Sequence, residues 1–426
     1  MGCRLTRFGN PISVNRVSSS DTTDQVRFSS SLLGDILIEP IVCFGQGSRD
    51  RRTKSSINSI QDCMLSSRLF ERANIEVPVL VSVIVPVYND SRNLIECLAA
   101  IKASLHSACE VIVVDDASTD VMPTLASEME LRFLRLPQNA GPAAARNYGA
   151  RHAQGEILFF VDADVIVAPG AVAHVAQVFK EHPDVAAVFG SYDATPRAQG
   201  IMSQYWNLRH HFVHQNGDSE ASTFWAGCGA IRRKVFQTVG GFDEKRFRRP
   251  SIEDIELGYR LRASGYRILL DKRLQATHLK RWSFRSVIGT DVFSRAVPWA
   301  RLIVETNKLP NELNLKTSQR LSSALVALAC ALTALAVVQP AFLTGSAVAL
   351  LTVALINRDL YFCFYRRGGI FFALASVSLH LLYYLYSGLA YFWVWTNFRL
   401  GRAVNLQRTS RGKVTKDALG AASKRS

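Results

Sequence analysis

Two aspartates separated by one small residue, Asp162 and Asp164, follow the apolar run Ile157 to Val161. The run has the length of a buried strand, and side chains at positions i and i+2 of a strand point to the same side. Both carboxylates can therefore converge on one hard divalent cation, Mg²⁺ or Mn²⁺. A cation there would neutralise a diphosphate leaving group, so the spacing indicates metal-assisted transfer chemistry. A solvated turn after a strand is the alternative.

Asp116 follows a second strand-like run, Glu110 to Val114. A carboxylate at the tip of a strand can accept hydrogen bonds from a ribose or from the N–H of a base. Alternatively, Asp115 or Ser118 caps the helix that we predict at Met122 to Met129. One aspartate can cap while its neighbour binds, so Asp116 is a candidate nucleotide contact.

Arg146 lies in the segment Asn139 to Asn147, in which Pro142 suits the first position of a helix. The N–H groups at the start of that helix, together with Arg146, could face a diphosphate. The small residues of the segment could equally serve close packing between helices. Arg146 is therefore a candidate donor-binding residue.

Strand-like and helix-like segments alternate from residue 79 onwards. The predicted strands are Val79 to Val85, Glu110 to Val114, Leu131 to Leu136 and Ile157 to Val161. Strands that alternate with helices imply an α/β fold with a mostly parallel sheet covered on both faces. Such sheets bind ligands outside the carboxyl ends of their strands, which is where Asp116 and Asp162 fall.

Three strand-end segments resemble the motifs of family 2 glycosyltransferases, which have the Rossmann-like GT-A fold. They are Val83 to Asn89, Val113 to Ser118, and Asp162 to Asp164. The resemblance implies inverting transfer from a nucleotide-diphospho-sugar, usually a UDP- or GDP-sugar, with Mg²⁺ or Mn²⁺ held by Asp162 and Asp164. It also implies that Pro86, Tyr88 and Asp116 contact the nucleoside, and that Asp162 also contacts the nucleotide sugar.

The resemblance extends to residue 282 and also implies which residue is the catalytic base. Inverting transfer needs a group that takes the proton from the attacking acceptor hydroxyl. By its position in the family's motif, Asp254 would take this role, and it precedes the predicted helix Ile255 to Ala263. The resemblance places Glu253, beside it, near the acceptor or the diphosphate. Alternatively, Ser251, Glu253 and Asp254 only cap this helix and complement its dipole.

The segment His278-Leu279-Lys280-Arg281-Trp282 resembles the Gln-x-x-Arg-Trp motif of processive family members, with His in place of Gln. That departure weakens a prediction of processive synthesis. We expect His278 to add a metal or diphosphate contact, Arg281 to hold phosphate and Trp282 to stack on a sugar. A structural role for the lone histidine is the alternative.

The aromatic, histidine-rich segment Gln204 to His214 predicts a helix that faces the acceptor. His210 and His214 have the i, i+4 spacing of a metal-binding pair, but no carboxylate accompanies them. Metal binding by this helix is therefore the weaker interpretation.

Two long apolar stretches follow this domain. Residues Leu321 to Asn357 include no charged side chain, and Ile370 to Trp395 is also apolar. Each can cross about 30 Å of hydrocarbon at about 1.5 Å per residue. Because Gln339-Pro340 divides the first stretch, we predict about three membrane segments in residues 321–397.

Residues 283–320 connect the two regions. Apolar residues recur at helical spacing from Phe284 to Ala296, with Arg285, Asp291 and Arg295 opposite them. This pattern predicts an interfacial helix on the bilayer, or equally a helix packed on its own sheet. Pro298 should break or kink it.

Positive charge is concentrated at the end of the chain. The net charge is +15, and the tail 398–426 is basic. A basic run after an apolar segment more often contacts anionic lipid than nucleic acid, so we predict membrane lipids as partners and no nucleic acid. Three crossings would put this tail outside the cytosol, against the charge rule, unless the third segment is re-entrant or interfacial. Its orientation stays open.

Residues 1–78 are rich in Ser and Arg and are predicted to be disordered, without a cleavable signal peptide. The eight cysteines form no Cys-x-x-Cys pair, which suits a reducing compartment. Nucleotide sugars are made in the cytosol. We therefore predict an integral protein of a bacterial inner membrane whose catalytic domain, residues 79–282, is cytosolic.

The functional prediction is an inverting glycosyltransferase that acts on a lipid-linked acceptor or a cell-envelope polysaccharide. A non-catalytic membrane subunit that binds nucleotide sugars is the first alternative, and it would not need Asp254. A transporter with a nucleotide-binding regulatory domain is the second, although two or three apolar segments are few for a transport path. The sugar, base and acceptor are set by pocket shape, which no motif specifies.

Overall fold

The computed structural model describes residues 80–104, 109–120 and 131–422, with side chains as far as residue 400. The predicted disorder of residues 1–78 and the predicted helix at residues 122–129 lie outside the described residues.

The first part of the described chain is an α/β domain. Its strands are β1 Val81–Val87, β2 Cys109–Asp115, β3 Leu131–Arg135, β4 Ile157–Val161, β5 Val165–Val167, β6 Val185–Tyr192, β7 Glu220–Ala221, β8 Cys228–Arg232 and β9 Arg267–His278. Its helices are α1 Ser91–Ala103, α2 Pro142–His152, α3 Ala171–Glu181, α4 Ile201–Gln215, α5 Arg233–Thr238 and α6 Glu253–Ala263. The described strands form one sheet in the order β3-β2-β1-β4-β8-β6-β9-β5, with β7 paired to β9.

The predicted α/β class is confirmed, and the predicted parallel pairing holds for the first half of the sheet. Strands β3, β2, β1 and β4 pair in parallel. Strand β8 runs antiparallel to both β4 and β6, so the second half is mixed. Every residue of β1 and β4 is buried, because helices cover both faces of the sheet here.

The loops that follow β1 and β2 are joined by hydrogen bonds. Asn89 and Ala117 have positive φ angles of 50° and 60°, which are uncommon for residues other than glycine. The Asn89 Oδ1 accepts from the Thr119 N–H at 2.7 Å, and the Asn89 N–H donates to the Ser118 hydroxyl at 2.9 Å. These contacts hold the carboxyl ends of both strands in one fixed arrangement.

The connecting segment, residues 283–320, is largely helical, and its position at a bilayer interface stays a prediction. It contains α7 Phe284–Gly289, a π-helical turn Thr290–Ala296, α8 Val297–Thr306 and a 3₁₀ turn Leu313–Leu315. The chain remains helical through Pro298, and the expected irregularity takes the form of the π-helical turn before it. A proline nitrogen cannot donate to the carbonyl four residues earlier. That carbonyl, of Ser294, accepts instead from the Ser251 hydroxyl at 3.0 Å.

Three apolar helices complete the described chain: α9 Thr317–Leu335, α10 Phe342–Ile356 and α11 Arg358–Ala422. Helix α11 is kinked at Gly368 and Gly369, where Gly369 has a φ of 71°. Helix α9 and residues 358–400 of α11 are long and apolar enough to cross a membrane, whereas α10 is shorter. Only 17% and 22% of their most apolar windows are buried, unlike the core helix of a soluble protein.

Helix α4 joins the α/β domain to α11. Its residues Tyr205 and Leu208 pack against Leu360, Phe364 and Ala373 of α11. One face of α4 therefore contacts the apolar helices, while other residues of α4 line the cavity described next.

Candidate active site

A cavity of about 1400 Å³ opens at the carboxyl ends of the strands and extends to helices α9 and α11. The predicted site residues that line it are Pro86, Tyr88, Asp116, Arg146, Asp162, Asp164, Glu253, Asp254, His278 and Trp282. Arg281 is the exception, because its side chain is exposed and does not line the cavity. The strand has ended at His278, so regular alternation no longer sets side-chain direction, and Lys280 lines the cavity instead.

Asp116 fixes the loop that leads into α2. Its carboxylate accepts hydrogen bonds from the backbone N–H groups of Ala140 and Gly141 at 2.8 and 2.9 Å, and from the Asn139 side chain at 3.1 Å. Burial raises the pKa of Asp116, and these two backbone N–H groups oppose the shift. The neighbouring Asp115 accepts from the Ser118 N–H. The alternative, that Asp115 or Ser118 caps the helix predicted at residues 122–129, falls outside the described residues. The contact of Asp116 with a nucleoside stays a prediction.

Substitution of Gly141 tests whether this loop must be held rigidly. Its φ is 91°, and an added Cβ would lie 2.4 Å from the Arg248 carbonyl oxygen. Gly141→Ala is expected to lower the free energy of unfolding by about 1–3 kcal/mol for a backbone conformation (φ 91°, ψ 165°) that is essentially restricted to glycine, and by about 1–3 kcal/mol more for the displaced carbonyl. Thermal unfolding measures the sum.

Gly170 provides the matched control for this variant. It has a φ of 75°, but an added Cβ would meet nothing within 4 Å. Gly170→Ala should therefore show only a backbone cost, about 1–2 kcal/mol for its left-handed conformation (φ 75°, ψ 7°). Equal losses for the two variants would contradict a tight contact between Gly141 and Arg248.

Arg146 bridges two carboxylates at the centre of the cavity. Its Nη2 lies 2.6 Å from Asp162 Oδ1, and its Nη1 lies 2.9 Å from Glu253 Oε1. Burial alone would lower the pKa of Arg146, but the carboxylates of Asp162 and Glu253 outweigh it and raise the pKa. The guanidinium is therefore charged, and it holds the end of β4 against the start of α6.

Asp164 has a different partner from Asp162. The antiparallel pairing of β5 with β9 sets Val165 opposite His278, and the His278 Nε2 lies 3.4 Å from Asp164 Oδ2. Burial raises the pKa of Asp164, but His278 and Lys280 outweigh it and hold the pKa below its ordinary value. Residues 162–164 form a turn rather than a strand. The strand rule behind the expected convergence of Asp162 and Asp164 therefore does not apply, and each carboxylate has its own cationic or imidazole partner.

Asp254 lies in the first turn of α6, which begins two residues earlier than predicted. Its carboxylate accepts from the N–H groups of Ala226 at 3.1 Å and Ile255 at 2.8 Å. Burial, followed by the neighbouring Glu253, raises the pKa of Asp254 to about 6. The residue that caps α6 is Ile252, which has no side-chain acceptor. Glu253 and Asp254 nevertheless lie in the first turn of α6, where their charges complement the helix dipole, so the alternative role of these residues stays open.

Helix α4 and Trp282 form the other wall of the cavity. His210 and His214 line it, and burial lowers the pKa of His214 to about 4, so this imidazole is neutral at pH 7. The Trp282 ring lies 5.0 Å from the Trp206 ring and 6.1 Å from the His278 ring. The Lys280 ammonium lies 4.4 Å from the Trp282 ring centre. The aromatic rings of this wall form a surface that suits a sugar.

Sequence reasoning missed several residues of the cavity: Tyr192, Arg209, Arg248, Arg249, Lys280 and Arg295. Tyr192 ends strand β6, so the strand-end rule that selected the aspartates could have selected it. The arginines come from a loop, from α4 and from the π-helical turn, and only tertiary packing brings them to one cavity.

Comparison with protein families identifies the α/β domain. Residues 82–240 match the family model described as Glycosyl transferase family 2. This part of the chain is therefore similar to glycosyl transferase family 2, and the predicted resemblance is confirmed.

Individual relatives match this chain over only part of their own length. The chain is 34% identical over 162 residues to Glycosyltransferase GlyG of Streptococcus pneumoniae, a match that covers 37% of this chain and 54% of the relative. It is 33% identical over 208 residues to an N-acetylglucosaminyltransferase of Sinorhizobium fredii, covering 45% of this chain and 50% of the relative. The chain thus spans about half the length of these curated relatives.

A solved structure also aligns with this chain: mannosyltransferase PcManGT from Pyrobaculum calidifontis, in complex with GDP-Man and Mn²⁺. The sequence identity is 20% and the TM-score 0.46, and the alignment covers 79% of this chain and 95% of that chain.

Proposed function

We propose that the protein is an inverting glycosyltransferase that moves a sugar from a nucleotide-diphospho-sugar to a lipid-linked or polysaccharide acceptor. The observation that carries the proposal is one cavity that contains Asp116, Asp164 and Asp254 together. Candidate donor ligands, with a buried carboxylate of pKa near 6 in the same cavity, are the components that transfer requires.

In the proposed reaction, Asp254 takes the proton from the acceptor hydroxyl as its oxygen attacks the anomeric carbon. The bond from that carbon to the diphosphate breaks, and the nucleoside diphosphate leaves on the opposite side. The N–H groups of Ala226 and Ile255 hold the Asp254 carboxylate in place. Lys280 and Arg248, which also line the cavity, supply positive charge for the leaving diphosphate.

Two of the residues present, Asp164 and His278, suit a divalent cation. Asp164 is ionised, and the His278 Nδ1 is buried without a hydrogen-bond partner among the described residues. Over the same residues, no group of three or more His, Cys, Asp or Glu side chains is placed to hold an ion, and Asp162 pairs with Arg146, so an ion here would need further ligands from a diphosphate. We propose that Asp162, Asp164 and His278 hold Mg²⁺ or Mn²⁺, which would stabilise the charge of the leaving group.

We place the reaction at the cytosolic face of a bacterial inner membrane, with the apolar helices of residues 321–397 in the bilayer. The low burial of α9 and α11 supports this arrangement. The extension of the cavity to these two helices would give a membrane-embedded acceptor access to Asp254.

The full chain in detergent micelles tests the function directly. UDP-, GDP- and dTDP-sugars are added with Mn²⁺, with Mg²⁺ or with a chelator, and thermal unfolding and nucleoside diphosphate release are measured. One donor is expected to raise Tm with metal and not with chelator, because ligands that bind only the folded state stabilise it.

Asp164→Asn should abolish the metal-dependent rise in Tm and lower turnover by about 100-fold or more. The control is Asp184→Asn, an exposed aspartate outside the cavity, which should behave as the parent. An Asp164→Asn protein as active as the parent would sink the proposed role of this carboxylate. Failure of all three donor classes to bind or react would sink the proposed function.

A further inference from the structure

The end of the cavity nearest the apolar helices contains a buried guanidinium with unused hydrogen-bond donors. Arg209 of α4 is 3% exposed and lines the cavity. Its Nε and Nη1 have no hydrogen-bond partner among the described residues. Each buried donor without a partner lowers the free energy of unfolding, unless a ligand or a water molecule accepts its hydrogen bond. The proposed transfer reaction gives this arginine no role.

The only carboxylate paired with Arg209 among the described residues is shared with a second arginine. Asp291 lies 3.8 Å from Arg209 and 3.8 Å from Arg295, beyond hydrogen-bond length in both cases. The Asp291 Oδ2 instead accepts from the Tyr386 hydroxyl at 2.5 Å. Two guanidiniums and one carboxylate leave a net positive charge. The neighbouring His210 adds none, because burial followed by Arg209 lowers its pKa well below the ordinary value.

Aromatic rings hold both guanidiniums in place. The Arg209 guanidinium lies 3.8 Å from the Tyr383 ring centre, and that of Arg295 lies 4.4 Å from the Trp206 ring centre. Rings fix the planes of the guanidiniums without using their N–H donors. Preorganised forks of this kind bind phosphate oxygens in pairs.

Beyond these arginines the cavity wall becomes apolar. Ala324 and Ala327 of α9 line it, together with Leu389 and Phe392 of α11. Leu389 and Phe392 are 57% and 61% exposed, so this wall continues into the outward apolar surface of α11. A ligand that fills this end would have an anionic group at the arginines and an apolar chain between α9 and α11.

We propose that Arg209 and Arg295 bind the phosphate of a lipid-linked acceptor whose apolar chain lies between α9 and α11. The inference rests on the proposed glycosyl transfer and specifies its acceptor class. The phosphate is an anchor rather than the nucleophile: a hydroxyl of the same head group reaches Asp254, loses its proton there and forms the new bond.

Binding of lipid phosphates tests the proposal without a sugar donor. The probes are farnesyl phosphate and dioctanoyl phosphatidic acid, which represent isoprenoid and diacyl sources. Farnesol, dioctanoylglycerol and inorganic phosphate serve as controls. Binding to the full chain in neutral detergent is followed by tryptophan fluorescence, because Trp282 and Trp299 line the cavity. At least one lipid phosphate should bind tenfold or more tightly than its alcohol and than inorganic phosphate.

Arg209→Gln should weaken lipid phosphate binding by tenfold or more. Arg295→Gln should weaken it severalfold, and it provides the test if removal of the buried Arg209 prevents folding. Arg285→Gln removes an exposed arginine of α7 outside the cavity and should bind within twofold of the parent. Equal binding of phosphate and alcohol probes, or parental affinity in both cavity variants, overturns the proposal.

Donor binding separates this inference from the proposed function. If metal-dependent nucleotide-sugar binding is intact but lipid phosphates do not bind, only the acceptor assignment fails. If lipid phosphates bind through Arg209 and no nucleotide sugar binds, the glycosyl transfer proposal fails while the phosphate site stands.

Discussion

Asp254→Asn is expected to lower the rate of sugar transfer by about 10²- to 10⁴-fold, the range that one positioned acid–base group contributes. Asparagine has nearly the same shape but cannot take a proton from the acceptor hydroxyl. Donor binding should change little, because the Asp254 carboxylate accepts from Ala226 and Ile255 rather than from the loop at Asp116. The measurement is kcat for transfer beside the Kd of the nucleotide sugar.

The pH dependence of the parent should report the same group. Burial raises the pKa of Asp254 to about 6, so kcat/KM should fall as the pH decreases through 6 and the base becomes protonated. A base with an ordinary carboxylate pKa would keep its activity down to about pH 4. A profile that is flat between pH 7 and pH 5 would contradict Asp254 as the base.

Stability should change with pH in the opposite direction. The folded-state pKa lies above the ordinary 3.8, so the protonated form of Asp254 is favoured by folding. This contribution to the free energy of unfolding is fully present below pH 3.8. It is lost as the pH rises through about 6, which lowers the free energy of unfolding by about 3 kcal/mol. Asp254→Asn lacks this titration, so its stability relative to the parent should rise between pH 4 and pH 7.

Asp243→Asn is the matched control for activity. Asp243 lies shortly before α6 in the chain, but it does not line the cavity, and its Oδ1 accepts from the Arg246 N–H. Parental transfer in this variant would show that loss of one nearby negative charge is not enough to stop the reaction. Comparable losses in both variants would remove the case for Asp254 as a base.

The first half of the sheet was predictable because each strand there has a local signal. The apolar run at Ile157 to Val161 matches β4, and Pro142 marks the start of α2 as predicted. Buried parallel strands are continuous apolar runs that the sequence displays directly. The antiparallel pairing of β8 with its neighbours has no such signal, because it depends on residues far apart in the chain.

The residues of the candidate site were predictable where they follow strand ends, and less so where packing between distant segments brings them together. Asp116 and Asp164 follow strands, so the rule for α/β sheets located them. Asp291 was expected on the polar side of an interfacial helix, or of a helix packed on its own sheet, yet it is 4% exposed. The π-helical turn changes the angle between successive residues, so the spacing of an α-helix assigned the faces incorrectly.

Arg146 joins a residue at a strand end to a residue brought near it by packing, and its removal should have the largest effect on stability. It lies between Asp162 at a strand end and Glu253 at a helix start, at 2.6 and 2.9 Å. Arg146→Met keeps much of the side-chain volume but leaves two carboxylates without their cation. Removal of one partner from a buried ion pair costs about 3–5 kcal/mol. At about 2–4 °C per kcal/mol, thermal unfolding of the full chain should detect the loss easily.

Two further variants distinguish this bridge from a general loss of positive charge. Arg151→Met removes an exposed arginine from the same helix and should lower Tm by little, because surface ion pairs contribute about 0–1 kcal/mol. The double variant Arg146→Met with Glu253→Gln removes one of the two carboxylates that Arg146→Met leaves without a cation. It should therefore be more stable than Arg146→Met alone. If Glu253→Gln gave no such recovery, the pair would not be coupled, and Arg146 would serve the leaving diphosphate rather than the junction of β4 with α6.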